Sequence, residues 1–238
     1  MHRYIQEHWL DWFPTLGSYQ TFVNRLNRLS DCLPLLVELL QEHLLKETGA
    51  DSQVLLVDSL PIITCSAKRA GKVAPELTAK GYCNSKHLYY IGCKLHLLGA
   101  RREQALPIPQ HIDITPANVH DLTALRPLLP ALHQRWILAD KAYADAALNQ
   151  QLQEQGTTII TPVKQVKGKS QVLIYFDKAH DDLFSQAVSA IKQPTEAFFN
   201  WLIAKTHIQN AAAVRSTKGL IFHVYGKIAA ALIACLLP

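Results

Sequence analysis

Across residues 19–45, Phe22, Val23, Leu26, Leu29, Leu33, Leu36, Val37 and Leu40 recur at helical spacing, with Arg25, Asn27, Arg28 and Glu38 between them. This predicts two helices that meet near Pro34, since proline removes a helix hydrogen bond. The polar string at residues 46–52 predicts a linker. The period then changes. Val54-Leu55-Leu56-Val57 is a continuous apolar run, as expected of a strand buried on both faces, and it ends on Asp58. The Gly/Ala/Lys stretch up to Ser85 breaks periodicity and is read as an excursion. Residues 88–98 and 105–114 then predict a hairpin joined across Gly99-Ala100-Arg101-Arg102-Glu103.

A helix is expected from Asn118 or His120, with a capping side chain, ahead of Leu122, Leu125, Leu128 and Leu129. Trp136-Ile137-Leu138-Ala139 is a second short apolar run, and it ends on Asp140. Residues 144–155 predict a helix stopped by Gly156, and residues 157–161 a β-branched strand closed by Pro162. Residues 182–205 are helical in pattern, with Pro194 predicting a kink or a fresh helix that begins there and puts Glu196 in its first turn. The run at 228–237 is too short to cross a bilayer, and Lys227 and His223 interrupt its upstream extension, so it predicts a buried helix. Three strands followed by alternating helix and strand give an α/β fold, a mixed sheet with helices packed on it. The expected division is a helical segment at 1–50 and an α/β domain at 51–238.

With 238 residues, 49% of them hydrophobic, the chain can bury a full core, which excludes a disordered or collagen-like protein. The 24 Lys+Arg against 19 Asp+Glu give +5, which favours a polyanionic partner and also suits many ordinary enzymes. Distribution says more. Between Thr64 and His96 stand Lys68, Arg69, Lys72, Lys80, Lys86 and Lys94 against the single anion Glu76, either a solvated basic loop or a polyanion-binding surface. Five cysteines at irregular spacing, behind a polar N-terminus, fit a reduced cytoplasmic compartment. Cys83, His87, Cys93 and His96 mix metal-ligand types, but their spacing matches no standard zinc finger.

Asp58 and Asp140 lie 82 positions apart, and Glu196 follows 56 later. If the two apolar strands are neighbours, their aspartates meet, and a carboxylate from a later helix can complete a cluster of hard oxygen donors suited to Mg²⁺. Two such ions about 3.5–4 Å apart stabilise the attacking and leaving oxygens of a displacement at phosphorus. Periodicity and spacing leave plainer readings open. Strand-end aspartates often cap the next turn, and a helix-start glutamate is favoured by the macrodipole.

Val57-Asp58-Ser59-Leu60-Pro61-Ile62, Ile137-Leu138-Ala139-Asp140-Lys141-Ala142-Tyr143 and Gln193-Pro194-Thr195-Glu196-Ala197-Phe198-Phe199-Asn200-Trp201-Leu202 resemble the three catalytic blocks of DDE transposases from bacterial insertion sequences. The similarity is greatest to the insertion-sequence 982 family, and it extends to the opening Trp9-Leu10-Asp11-Trp12-Phe13-Pro14 and the tail around Val214-Arg215-Ser216 and Gly226-Lys227. The resemblance implies a ribonuclease-H-like mixed sheet flanked by helices. It also implies that Asp58, Asp140 and Glu196 are catalytic and bind two Mg²⁺ or Mn²⁺ ions. The implied activity is phosphodiester hydrolysis at transposon ends followed by strand transfer into target DNA.

Related families carry a Tyr and an Arg upstream of the Glu and a Lys downstream, where this chain has Ser189, Lys192 and, as the nearest downstream cation, Lys205. Lys68, Arg69, Lys72, Lys141, Lys205, Arg215 and Lys218 are the expected DNA contacts. The expected partner is double-stranded DNA, both terminal inverted repeats and target, bound by a homodimer in the bacterial cytoplasm with no membrane. Members of the family usually carry further N-terminal residues that help recognise transposon ends, so this chain is expected to start inside the family pattern, with residues 1–50 the remainder of a DNA-binding region. Two alternatives share the fold: a truncated remnant that only binds DNA, and a ribonuclease-H-like nuclease that cuts without joining.

Overall fold

The computed structural model describes residues 1–68, 71–83, 86–163 and 171–236, with residues 171–179 described by backbone alone. Three helices come first: α1 (His2–His8), α2 (Tyr19–Arg28) and α3 (Leu33–Thr48). Ser18 caps α2, its hydroxyl accepting from the Thr21 amide at 3.2 Å. As the sequence predicts, α2 and α3 meet at a short 3₁₀ turn, with Pro34 in the first turn of α3. Polar composition marks residues 46–52 as a linker, yet α3 runs through Thr48 and the first strand starts at Asp51.

The sheet is built from β1 (Asp51–Ser66), β2 (Ala79–Cys83), β3 (Leu88–Arg101), β4 (Ile108–Pro116), β5 (Trp136–Leu138) and β6 (Thr158–Ile160). Among the described residues the order is β2-β3-β1-β5-β6, and β4 joins the same edge of β3 as β2, further along. The strands β1 to β4 pair antiparallel, whereas β5 and β6 run parallel to β1. Four further helices are α4 (Asp121–Leu125), α5 (Ala146–Gln153), α6 (Gln171–Thr206) and α7 (Thr217–Leu236). This mixed sheet flanked by helices, with a helical segment ahead of it, is the expected ribonuclease-H-like arrangement.

Helix α4 starts where its capping signal falls, and α5 starts at Ala146 behind a cap of its own. The His120 ring Nδ1 accepts from the Leu122 amide at 3.3 Å, and the Asp145 carboxylate from the Leu148 amide at 3.0 Å. After α5 the chain turns at Gly156 with φ +72°, a left-handed conformation that costs glycine little.

Three expectations are corrected. The stretch up to Ser85 is not all excursion, because it contains β2, whose sequence Ala-Lys-Gly-Tyr-Cys has no β-branched residue to announce a strand. Strand β1 does not end at Asp58 but continues to Ser66. It does so because β3 pairs with it along that length, whereas β5 pairs only with Val54, Leu55 and Leu56. Beyond Asp58 the other edge of β1 is open to the segment after α6. There the Ile63 amide donates to the Gln209 carbonyl at 2.8 Å, and the Ala211 amide donates to the Ile63 carbonyl at 2.9 Å. Pro61 shares this outward orientation with Ile63, so its missing donor falls where no strand needs it. Finally, α6 is continuous through Pro194, which places Glu196 in the interior of a long helix rather than in a first turn.

Alternation along the strands sorts two cores. Leu60, Ile62, Leu95 and Leu97 face α3, α6 and α7, meeting Val37, Phe198, Leu202 and Leu220. On the other face Leu55, Val57, Leu98 and Ile137 meet Leu122, Leu125, Tyr143 and Leu152. Val37 and Leu44 place α3 in the first of these cores, shared with the sheet. Gly92 in β3 has a strict reason: a Cβ there would lie 1.9 Å from the Ile62 carbonyl oxygen. At 20 residues with a mean hydropathy of 1.8, α7 is long and apolar enough to cross a bilayer, unlike the shorter run the sequence suggests. Its Leu220, Val224 and Ile228 are nevertheless buried in the sheet core, each contributing about 1.5–3 kcal/mol. Core burial accounts for the apolar face that these residues form.

Candidate active site

Leu56 of β1 and Leu138 of β5 are paired, and both pack on Val188 of α6. Side chains alternate along a strand, so Asp58, two residues beyond Leu56, returns to the same face, and Asp140 does so two residues beyond Leu138. One helical turn after Val188, α6 presents Lys192 to this face. Its ammonium nitrogen lies 2.5 Å from Asp140 Oδ1 and 3.3 Å from Asp58 Oδ2. The Lys192 side chain is only 4% exposed, against 18% for Asp58 and 57% for Asp140. A buried cation thus bridges two carboxylates at the rim of the sheet.

Burial pushes the Asp58 carboxyl up to about 6, and the neighbouring Asp140 charge adds to the rise. Lys192 and the Ser59 amide, which donates to Asp58 Oδ1 at 2.8 Å, pull the other way without cancelling it. Beneath the site Tyr143 is buried in the second core, packed under the loop that follows Asp140. Its hydroxyl is held well above its ordinary range by burial and by Asp121, Asp58 and Asp140, and it has no hydrogen-bond partner among the described residues.

The third predicted acid behaves differently. Glu196 follows Lys192 by one turn, so their Cβ atoms are about 5–6 Å apart. It is exposed and, among the described residues, has no ion pair or side-chain hydrogen bond. No group of three His, Cys, Asp or Glu side chains among the described residues is close enough to hold a metal ion. The fold brings two of the three acids together, and a lysine occupies the space between them.

The donors nevertheless suit a hard divalent cation. Two carboxylates converge on one positive charge, the buried one is short of compensation, and a third stands one turn along the helix. The His/Cys group considered for zinc does not converge. Cys93 pairs with Ile62 and lies in the sheet core, whereas His96 points to the opposite face. There the His96 ring Nε2 lies 2.7 Å from the Thr115 hydroxyl, and Lys94 donates to Asp121 at 2.8 Å. Burial lowers the affinity of His96 for a proton.

Three of the expected DNA contacts gather at one place. Lys68, Lys72 and Arg215 line a cleft of about 660 Å³ with Thr64, Ser66 and Asn210, at the end of β1 beyond Asp58. Lys141 and Lys205 are exposed near the two ends of the site elements, and Lys218 lies 3.8 Å from Asp31. Arg69 falls outside the described residues. Sequence reasoning names Lys192 only as a departure from a related pattern. Its position four residues before Glu196 is the one signal that it shares the helix face of that acid.

Residues 49–209 match the family model described as the transposase DDE domain, a span that contains Asp58, Asp140, Lys192 and Glu196. None of the curated proteins compared with the chain matches it.

Proposed function

Because the chain belongs to the transposase DDE domain family, we propose that it is the transposase of an insertion sequence, which cuts DNA at the element's ends and joins them to target DNA. The observation that carries this reading is the convergence of Asp58 and Asp140 on a single buried cation, at the rim of a ribonuclease-H-like sheet and inside the matched span. Similarity of the three sequence blocks supports membership of the insertion-sequence 982 group within the family.

In this reading Asp58, Asp140 and Glu196 hold Mg²⁺ or Mn²⁺. When bound, such ions activate the attacking oxygen and stabilise the leaving one at phosphorus. Water first attacks the phosphodiester at the element's end, forming a new P–O bond while the bond to the 3′ oxygen breaks. The freed 3′-hydroxyl then attacks a target phosphodiester, bonding to its phosphorus while the bond to the target's own 3′ oxygen breaks and that oxygen leaves as a hydroxyl, so one set of acids would serve both displacements. Lys68, Lys72 and Arg215 supply the positive cleft for backbone phosphates, and Lys141 stands beside Asp140 to contact a phosphate near the reacting bond. Two chains acting as a dimer would pair two ends. The site of action is the bacterial cytoplasm.

The test is Mn²⁺-dependent nicking of a duplex that carries the element's terminal repeat, with Asp140→Asn as the control. The wild type should nick and then join the end to a second duplex. Equal nicking by both proteins would dismiss the assignment, and nicking without any joined product would leave a nuclease instead.

A further inference from the structure

Lys192 stands where a cation shared by Asp58 and Asp140 has to stand. Its nitrogen touches an oxygen of each, at 3.3 and 2.5 Å. A divalent ion bound to the same two oxygens at about 2.0–2.1 Å would overlap that nitrogen. The ammonium and the ion cannot be there together.

The lysine is also built in rather than draped over the surface. Its side chain is 4% exposed and rises from the face of α6 that packs through Val188 on Leu56 and Leu138. A long charged side chain is seldom so buried unless it is paired. Its two partners are those the proposed function takes as metal ligands. Glu196, the third proposed ligand, sits one turn further along the same helix and is unengaged among the described residues.

We propose that Lys192 is the resident cation of the metal-free site, a positioning residue that holds Asp58 and Asp140 together and must be displaced before a divalent ion binds between them. Metal affinity is then a difference between two cations competing for one pair of carboxylates. Glu196 becomes the ligand that tips the balance toward the ion, since it adds a further oxygen donor for the metal and none for the lysine. This inference rests on the proposed function, which supplies the metal.

The experiment is Mn²⁺ binding to the full chain without DNA, followed by calorimetry and by loss of the free-ion paramagnetic resonance signal. The proteins are wild type, Lys192→Met, Lys192→Arg and Asp58→Asn, with thermal melting of each measured with and without Mn²⁺. Lys192→Met should bind Mn²⁺ at least tenfold more tightly than wild type. It should also melt lower than wild type in the absence of metal and recover a larger share of its stability when metal is added. Lys192→Arg keeps the charge and should retain weak binding, which preserves the comparison if the methionine variant folds poorly. Equal Mn²⁺ affinity in wild type and Lys192→Met would overturn the proposal while leaving the function intact. Wild-type binding that survives Asp58→Asn would overturn the assigned metal site itself, and the proposal with it.

Discussion

Asp58 and Asp140 each stand two residues beyond the last rung of a parallel strand pair: Leu138 follows its partner Leu56 by 82 positions, and Asp140 follows Asp58 by the same 82. The interval seen in the sequence is therefore the offset of the β1–β5 ladder. Even spacing along parallel strands keeps the two chains in step up to Leu56 and Leu138, and both acids then meet the one Lys192 nitrogen.

The raised Asp58 carboxyl makes the stability of the metal-free protein depend on pH. Its folded value, about 6, lies above the ordinary aspartate value of 3.8, so between these limits the folded state binds more protons than the unfolded one. The contribution of Asp58 is thus present at low pH and lost as pH rises through about 6. Urea midpoints for wild type and Asp58→Asn should diverge as pH is raised from about 4 to 7, with wild type losing ground. Parallel curves would mean that the environment of Asp58 does not disfavour its charge.

Glu196→Gln separates chemistry from folding. An exposed side chain without partners should change stability by no more than about 0.5 kcal/mol when substituted. Nicking should nevertheless be lost, because the proposed function makes Glu196 a metal ligand. Retained nicking at wild-type rate would remove Glu196 from the site.

The cleft beyond Asp58 should act by holding backbone phosphates. Replacing Lys68, Lys72 and Arg215 together by Ala should weaken DNA binding about equally for all sequences and lower the salt slope by about 1 for each of the three cations removed. Fluorescence anisotropy over a salt series reads both quantities. An unchanged slope would assign those cations to solvent.

Gly92→Ala should be severely destabilising, by about 3 kcal/mol or more, because the clash is with the Ile62 backbone of a neighbouring strand rather than with a side chain that can turn away. Chemical denaturation measures it. A small effect would require β1 and β3 to separate without loss.

Much of this fold was legible because the strands that matter are apolar runs bounded by turns. Val54–Val57 and Trp136–Ala139 announce the two strands that carry the acids, His120 announces a helix start, and Gly156 announces where the chain turns. What was hidden depended on partners. The second half of β1 reads as irregular because of Pro61, and only the course of β3 beside it makes it strand. Helix α6 reads as kinked or restarted at Pro194, yet it runs on as one helix that packs through Val188 before the proline and Phe198 after it. Candidate acids could be picked out by block similarity, but the buried salt bridge could not. Nothing in a linear chain says that Lys192 is buried against two aspartates while Glu196, one turn on along the same face, stays exposed.

The strand that carries Asp58 is held on both sides of that acid, by the helix on one side and by the segment after the helix on the other. Leu56 meets Val188 just before Asp58, and the Ile63 backbone bonds to Gln209 and Ala211 shortly after α6 ends. The strand is thus tied to the helix by side chains before the acids and to the segment after the helix by backbone bonds beyond them. On the proposed function, exchange of cations there would fall to rotations of the Lys192, Asp58 and Asp140 side chains, and both displacements would use one seat.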